Sequence, residues 1–204
     1  FKVKGICFGQ KTGRPSARLG IEQAGRPLAS IRTIFGIDLR TLALFRILLG
    51  LYLLLDLLFR ARDLTAHYSD AGIMPREVQI GLLVPSSWSF HLANGSTAFQ
   101  GLLFFAAGLA AIGLIVGWRT RLMTVLSWIL LLSVQNRNTV ILSGEDNLAL
   151  LLLFWAMFLP TGARYSLDAA LAKAPALPDN RYASIATAAL LIQGMSMYFF
   201  SAIL

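Results

Sequence analysis

A cluster of amide and charged side chains between residues 135 and 147 separates two strongly apolar runs of the sequence. Its members are Gln135, Asn136, Arg137, Asn138, Glu145, Asp146 and Asn147. Brought together, such groups would form the polar floor of a binding or catalytic cavity. A structural interpretation is also open, because acidic side chains stabilise the start of a helix and Arg137 would neutralise them. The cluster is therefore either a site or a charge-compensated hairpin.

Three more charges lie inside the first long apolar run. Asp56 and Arg60 are four residues apart, so they are neighbours on one face of a helix and can pair. They either pair structurally or line an outward-facing cavity together with the 135–147 cluster. Arg46 lies deeper, where a charge costs about 2.5–3.5 kcal/mol to insert into a membrane. We interpret Arg46 as a structural intramembrane charge that pairs with another helix or reaches the headgroups.

Other chemistry has weaker support in the sequence. His67, Tyr68 and Asp70 follow the first apolar run and would meet the 135–147 cluster from above. A lone histidine in a polar loop is more often a hydrogen-bonding residue than a base, and the same holds for His91. The sequence has one cysteine, no spacing typical of a metal site and no glycine-rich phosphate loop. We therefore predict no metal, and no catalytic residue is assigned.

Long apolar runs must position these groups. The chain of 204 residues is 56% hydrophobic and only 14% charged, against about 25% charged in soluble domains. Crossing a bilayer takes about 20 helical residues. We predict an all-α membrane protein, a bundle of about five transmembrane helices with a re-entrant or interfacial segment between the first two. The predicted spans cover 39–59, 99–118, 122–140, 147–159 and 182–204.

The distribution of basic residues predicts the orientation. Residues 1–36 form a basic arm, followed by a transmembrane domain over 37–204. With the N-terminus in the cytoplasm, thirteen Lys and Arg residues lie on the cytoplasmic side and four on the other. Membrane proteins carry an excess of Lys and Arg in their cytoplasmic segments. The net charge of +8 therefore indicates contact with membrane lipids rather than with nucleic acid. The 135–147 cluster would then lie at the outer face.

Several segments resemble one membrane-protein family. "GIDLRTLALFRILLGLYLLLDL", "HYSDAGIMPRE", "VQNRNTVILSGEDNLALLLLFWAMFLPTGARYSLD" and "MYFFSAI" together resemble the horizontally transferred transmembrane (HTTM) domain. This domain is the membrane part of vitamin K-dependent γ-carboxylase and of bacterial relatives. The resemblance covers about 37–204. It implies a helical bundle with a site at the outer face, where carboxylases oxygenate reduced vitamin K to make a base that deprotonates glutamate.

The resemblance also bears on activity. In the carboxylases an initiating lysine follows the segment that corresponds to 198–202, and no lysine follows that segment in the 204 residues. We therefore expect a non-catalytic bacterial inner-membrane protein of the HTTM type, a subunit or assembly factor of a larger complex that contacts lipid or quinone. The alternative is a carboxylase-like enzyme at the outer membrane face. A small-molecule transporter is a weaker rival, since no inverted repeat is visible.

Overall fold

The computed structural model describes residues 34–82, 87–172 and 180–203, and these residues are mostly helical. Most of the predicted arm, residues 1–33, lies outside the described residues. In chain order the helices are α1 (Leu39–Arg62), α2 (Leu64–Tyr68), α3 (Arg76–Leu82), a 3-10 helix (Phe90–Leu92), α4 (Thr97–Val116), α5 (Thr120–Arg137), α6 (Gly144–Ala156), α7 (Leu167–Leu171) and α8 (Ile185–Ile203).

Three helices, α1, α4 and α8, are long and apolar enough to cross a membrane. The other two predicted spans are also helices, but each begins and ends two or three residues earlier than predicted. Asn138 ends α5 because its backbone is extended and its side chain accepts from the Val140 N–H. The start of α6 moves to Gly144 because Ser143 and Asp146 form a capping box.

The core lies between α1, α4, α5 and α6. Its buried members are Leu49, Leu53, Ala110, Ala111, Leu114, Met123, Leu131, Ala149, Leu153 and Ala156. Small residues allow close packing of α1 against α4: a Cβ atom on Gly50 would lie 2.8 Å from Cγ1 of Ile115. The predicted inward stripe of α1 is confirmed at Arg46, Gly50 and Leu53, which are all buried.

Helix α8 lies at the periphery, and only Ala186 and Thr187 are buried on it. Two short antiparallel strands of two residues each join the segment before α8 to the segment before α1. This pair, β1 (Ile37–Asp38) with β2 (Arg181–Tyr182), was not predicted. It forms because both segments are extended and adjacent, with the Leu39 N–H donating to the Asn180 carbonyl at 2.8 Å.

Between the first two candidate spans, the described residues form α2, α3 and the 3-10 helix, each of seven residues or fewer. Residues 83–86, with the predicted break at position 85, lie outside the described residues. This connecting segment contacts the end of the bundle where α1 ends and α6 begins. We call that end the Arg60 end, and the opposite end, where α1 begins and α5 begins, the Arg46 end.

Candidate functional site

Arg60 is the centre of an ion-pair network at the Arg60 end. Its Nε lies 2.8 and 2.9 Å from the two carboxylate oxygens of Asp56, which confirms the predicted pair one helical turn apart. Its Nη2 donates to the carboxylate of Asp146 on α6. Its Nη1 donates to the Tyr68 hydroxyl at 3.1 Å. The two flanking carboxylates thus compensate a guanidinium whose side chain is 13% exposed.

Asp146 connects this network to the start of α6. The same carboxylate accepts from the Ser143 N–H at 2.9 Å, and the Asp146 carbonyl accepts from the Gln135 amide at 2.9 Å. The prediction that Arg137 neutralises the acidic residues of α6 is wrong for Asp146, whose partner is Arg60. The physical reason is geometric: Arg137 is the last residue of α5 and turns towards the connecting segment instead.

Arg137 fastens the connecting segment to α5. It is completely buried and donates to the carbonyls of Tyr68 at 3.1 Å and Met74 at 3.0 Å. Its carboxylate neighbour is Asp70, at 3.4 Å, and Asp70 also pairs with Arg76 at 2.6 Å. Arg137 thus supports backbone that lacks regular secondary structure, using a charge that the connecting segment itself balances.

Asn136 and Asn138 act in the same way. The Asn136 amide donates to the Trp88 carbonyl at 2.8 Å, and the Asn138 amide donates to the His67 carbonyl at 3.2 Å. Buried Gln79 donates to the Asn136 carbonyl at 3.2 Å. The structure therefore brings six of the seven predicted site residues into two linked groups, and these groups share Tyr68.

Glu145, the seventh predicted residue, is exposed and has no hydrogen-bond or ion-pair partner among the described residues. It lies at a groove of about 250 Å³ between α1 and α6. The groove is lined by Phe45, Leu48, Leu49, Tyr52, Glu145, Leu148, Ala149 and Leu152. Such a groove can hold an apolar chain, with the Tyr52 hydroxyl and the Glu145 carboxylate as its polar groups.

His91, for which the sequence favoured a hydrogen-bonding role over a catalytic one, lies beside this site. His91 is fully buried, and its Nδ1 lies 2.8 Å from Oγ of buried Ser133 on α5. Its ring packs edge-to-face on Phe104. Burial, and next the positive charge of Arg137, lower the pKa of His91 to about 4. His91 is therefore neutral at pH 7 and anchors the 3-10 helix; the sequence carries no signal for this long-range contact.

Arg46 occupies a different environment at the opposite end. Its side chain is 1% exposed, and Nη2 donates to the Tyr165 carbonyl at 2.6 Å. Nε and Nη1 have no hydrogen-bond partner among the described residues. Gly117, with a φ of 76°, makes room for the guanidinium: a Cβ atom there would lie 1.7 Å from Nη1. The prediction that Arg46 pairs with another helix is wrong, because its hydrogen bond goes to a backbone carbonyl between α6 and α7.

Asp168 completes the Arg46 end, and the sequence analysis did not assign it. Its carboxylate accepts from the Arg119 N–H at 2.7 Å, the Thr120 N–H at 2.7 Å and the Thr120 hydroxyl at 2.6 Å. Burial alone would raise the pKa of Asp168, but these hydrogen bonds and the Arg46 charge lower it overall. Asp168 therefore caps α5. Ser166 caps α7, as predicted, by accepting from the Ala169 N–H at 2.9 Å.

The fold and its two polar ends define a mostly helical protein with three helices able, by length and composition, to cross a membrane. No protein-family model, curated protein or solved structure matches the chain. The described ranges contain no group of three His, Cys, Asp or Glu side chains that could hold a metal ion.

Proposed function

We propose that this chain is a bacterial inner-membrane protein of the HTTM type, and that it serves as a non-catalytic subunit or assembly factor of a larger membrane complex. Its N-terminus lies in the cytoplasm and its Arg60 end at the outer face. About five helices cross the bilayer, and the connecting segment lies at the membrane interface. The observation that carries this proposal is the surface of α8.

Helix α8 is apolar enough to span a membrane, yet only 11% of its apolar window is buried within the chain. Near its C-terminal end Met195, Tyr198, Phe199 and Phe200 are between 61% and 83% exposed. The Gln193 amide has no hydrogen-bond partner among the described residues. Both amide atoms are enclosed by the chain itself, so the surface open to a partner's helix is the apolar one formed by Met195, Tyr198, Phe199 and Phe200.

The hydrogen bonding of the Arg60 end supports a structural role. Arg60 is paired with two carboxylates, those of Asp56 and Asp146, while Arg137 binds backbone carbonyls. A general base needs a proton acceptor free to reach substrate. Here the carboxylates of Asp56 and Asp146 already accept hydrogen bonds from Arg60, and Asp146 also caps the start of α6. These contacts therefore favour a role in the assembly of a complex over a catalytic role.

Cross-linking in native membranes tests the assembly role. A cysteine at Tyr198, in a Cys7→Ser background, is expected to form one discrete adduct with a second membrane protein. Met195→Trp, which enlarges a 73% exposed side chain one helical turn before Tyr198, should abolish the adduct by steric obstruction. Ser196→Ala should leave it, because the Ser196 hydroxyl bonds within its own helix at 2.8 Å to the Ile192 carbonyl.

The control cysteine replaces Leu102, which is 62% exposed on α4. It should give no such adduct, because α4 is expected to face lipid there. Equal adducts from both positions, or an adduct that survives Met195→Trp, would contradict the assignment of α8 as the partner-binding helix.

One observation favours a second candidate, a carboxylase-like enzyme acting at the outer face. The groove between α1 and α6 is apolar along its length and carries Tyr52 and Glu145, a combination suited to a quinone with an isoprenoid tail. Carboxylation with reduced vitamin K and a glutamate peptide tests it. Turnover that Glu145→Gln abolishes would favour the enzyme; absence of turnover in the full natural protein would remove it.

A further inference from the structure

A cleft of about 390 Å³ opens at the Arg46 end, between the start of α5 and the segment that follows α6. Its lining includes Arg119, Arg121, Pro160, Thr161, Gly162 and Asp168. The cleft belongs to neither the Arg60 network nor the groove between α1 and α6. It lies next to the C-terminal end of α4, one of the three helices long and apolar enough to cross a membrane.

The backbone conformation at Arg119 allows both Arg119 and Arg121 to line this cleft. Residues two positions apart on a regular helix point to different sides. Arg119, however, precedes α5 in the left-handed region, with a φ of 43°, and Asp168 holds it there by accepting its N–H at 2.7 Å. As a result Arg119 and Arg121 line the same cleft. A non-glycine residue in this conformation is unfavourable and persists only where its surroundings fix it.

The charges around the cleft leave a positive excess. Asp168 is the acidic group in the lining, and it is hydrogen-bonded to the start of α5 and lies near the buried charge of Arg46. Arg119 and Arg121 are exposed, and neither has a carboxylate partner within the described ranges. Beyond its backbone bond, Arg119 stacks with its guanidinium 5.6 Å from the Trp118 ring, which is 47% exposed.

We propose that this cleft binds the phosphate of an anionic phospholipid, such as phosphatidylglycerol, through Arg119 and Arg121. Guanidinium groups suit phosphate oxygens in geometry and in charge. A lipid fits better than a soluble anion because the site adjoins the end of an apolar helix, where exposed Trp118 and Leu122 meet the acyl region. This proposal does not depend on α8 or on the Arg60 end.

Lipid retention in native mass spectrometry tests the site. The full protein would be reconstituted in nanodiscs with equal amounts of phosphatidylglycerol and phosphatidylcholine, then released. Each arginine near the membrane surface contributes about 1 kcal/mol of attraction to anionic lipid, which is about 5-fold in affinity. Arg121→Gln alone should therefore weaken phosphatidylglycerol retention about 5-fold, and the double variant Arg119→Gln/Arg121→Gln about 30-fold. Phosphatidylcholine retention should not change. The midpoint of thermal unfolding reports whether each variant is folded, and the single variant serves if the double is not.

Arg62→Gln is the matched control. Arg62 is exposed and stacks on Phe59 at 5.1 Å, as Arg119 stacks on Trp118, but it lies at the opposite end of α1. It should leave retention unchanged. Unaltered retention in the arginine variants, or an equal loss in Arg62→Gln, would overturn the site. Displacement of phosphatidylglycerol by excess glycerol phosphate would overturn the lipid as its ligand and assign the cleft to soluble phosphate.

Discussion

Helix α1 carries one buried arginine near each end, and the two ends of the bundle accommodate them differently. At the Arg60 end, Asp56 and Asp146 surround the guanidinium, and Tyr68 accepts a third hydrogen bond. At the Arg46 end, a carbonyl accepts one hydrogen bond, and a left-handed glycine provides the space. At one end the guanidinium is paired with two carboxylates, whereas at the other it keeps unfilled hydrogen-bonding capacity.

Because of this difference, we expect the two arginines to contribute differently to the stability of the fold. A buried ion pair contributes little compared with apolar packing, but removing one member leaves the others buried and uncompensated. The loss of Arg60 should therefore cost the most, because two carboxylates lose their partner, whereas the loss of one carboxylate leaves Arg60 paired with the other. Arg46 has a desolvation cost that its contacts offset only in part, so its replacement should be tolerated. The positive charge of Arg46 is better explained by its electrostatic attraction to Asp168, whose carboxylate caps the start of α5.

The largest expected effect contrasts the two arginines directly. Arg60→Met should lower the free energy of unfolding by about 3–5 kcal/mol, because Asp56 and Asp146 lose their partner. Arg46→Met should change it by less than about 1.5 kcal/mol, since the substitution removes a buried charge and keeps an apolar stem. Unfolding in mixed micelles measures both. Equal losses would show that the two ends do not differ in the way described.

Gly117→Ala tests whether the Arg46 end depends on that glycine. The substitution should cost about 2–3 kcal/mol, since Cβ meets the Arg46 guanidinium and alanine disfavours a φ of 76°. In an Arg46→Met background the cost should be smaller but should stay above about 1 kcal/mol, because the backbone strain remains and the new Cβ would still lie 2.5 Å from Cβ of Ser166. A double-mutant cycle gives the coupling. Strict additivity would show that the close approach of Gly117 and Arg46 is unimportant.

His91 predicts a pH dependence confined to the Arg60 end. Its folded-state pKa of about 4 lies below the unfolded value of 6.5, so unfolding takes up a proton between these values. Stability should thus be full above pH 6.5 and fall as the pH drops towards 4, by about 2 kcal/mol at pH 5. His91→Asn should flatten the unfolding midpoint between pH 7 and pH 5. An unchanged slope would place the titrating group elsewhere.

The smallest expected effect compares the two helix caps. Ser166→Ala removes the cap of α7 and should cost about 1 kcal/mol at the Arg46 end. Ser143→Ala should cost less, because the Asp146 carboxylate still accepts from the backbone N–H of residue 143. Thermal unfolding of the two variants side by side is sufficient. A larger loss from Ser143→Ala would mean that the hydroxyl, and not the backbone, holds Asp146 in place.

The sequence correctly predicted contacts between residues that are only a few positions apart in the chain. The Asp56–Arg60 pair follows from helical periodicity, and it is present. Helix boundaries were displaced by up to three residues where a side-chain cap, Ser143 with Asp146, overrides the apolar pattern.

Partners distant in the chain could not be derived from the sequence. The Asp146 charge could be matched by Arg137, nearby in sequence, or by Arg60, 86 residues away, and only packing decides in favour of Arg60. The same limit applies to His91 with Ser133 and to Asp168 with Thr120, which meet across 42 and 48 residues. Single-residue propensities carry no information about such contacts.

The account rests on the two ends of the bundle lying on opposite sides of a membrane. Single cysteines at Val140 and Leu171, which are 71% and 69% exposed, mark the Arg60 end and the Arg46 end in a Cys7→Ser background. An impermeant maleimide applied to cells with a permeabilised outer membrane should label position 140 at once, and position 171 only after the inner membrane is opened. Labelling of both positions from the same side would contradict the account.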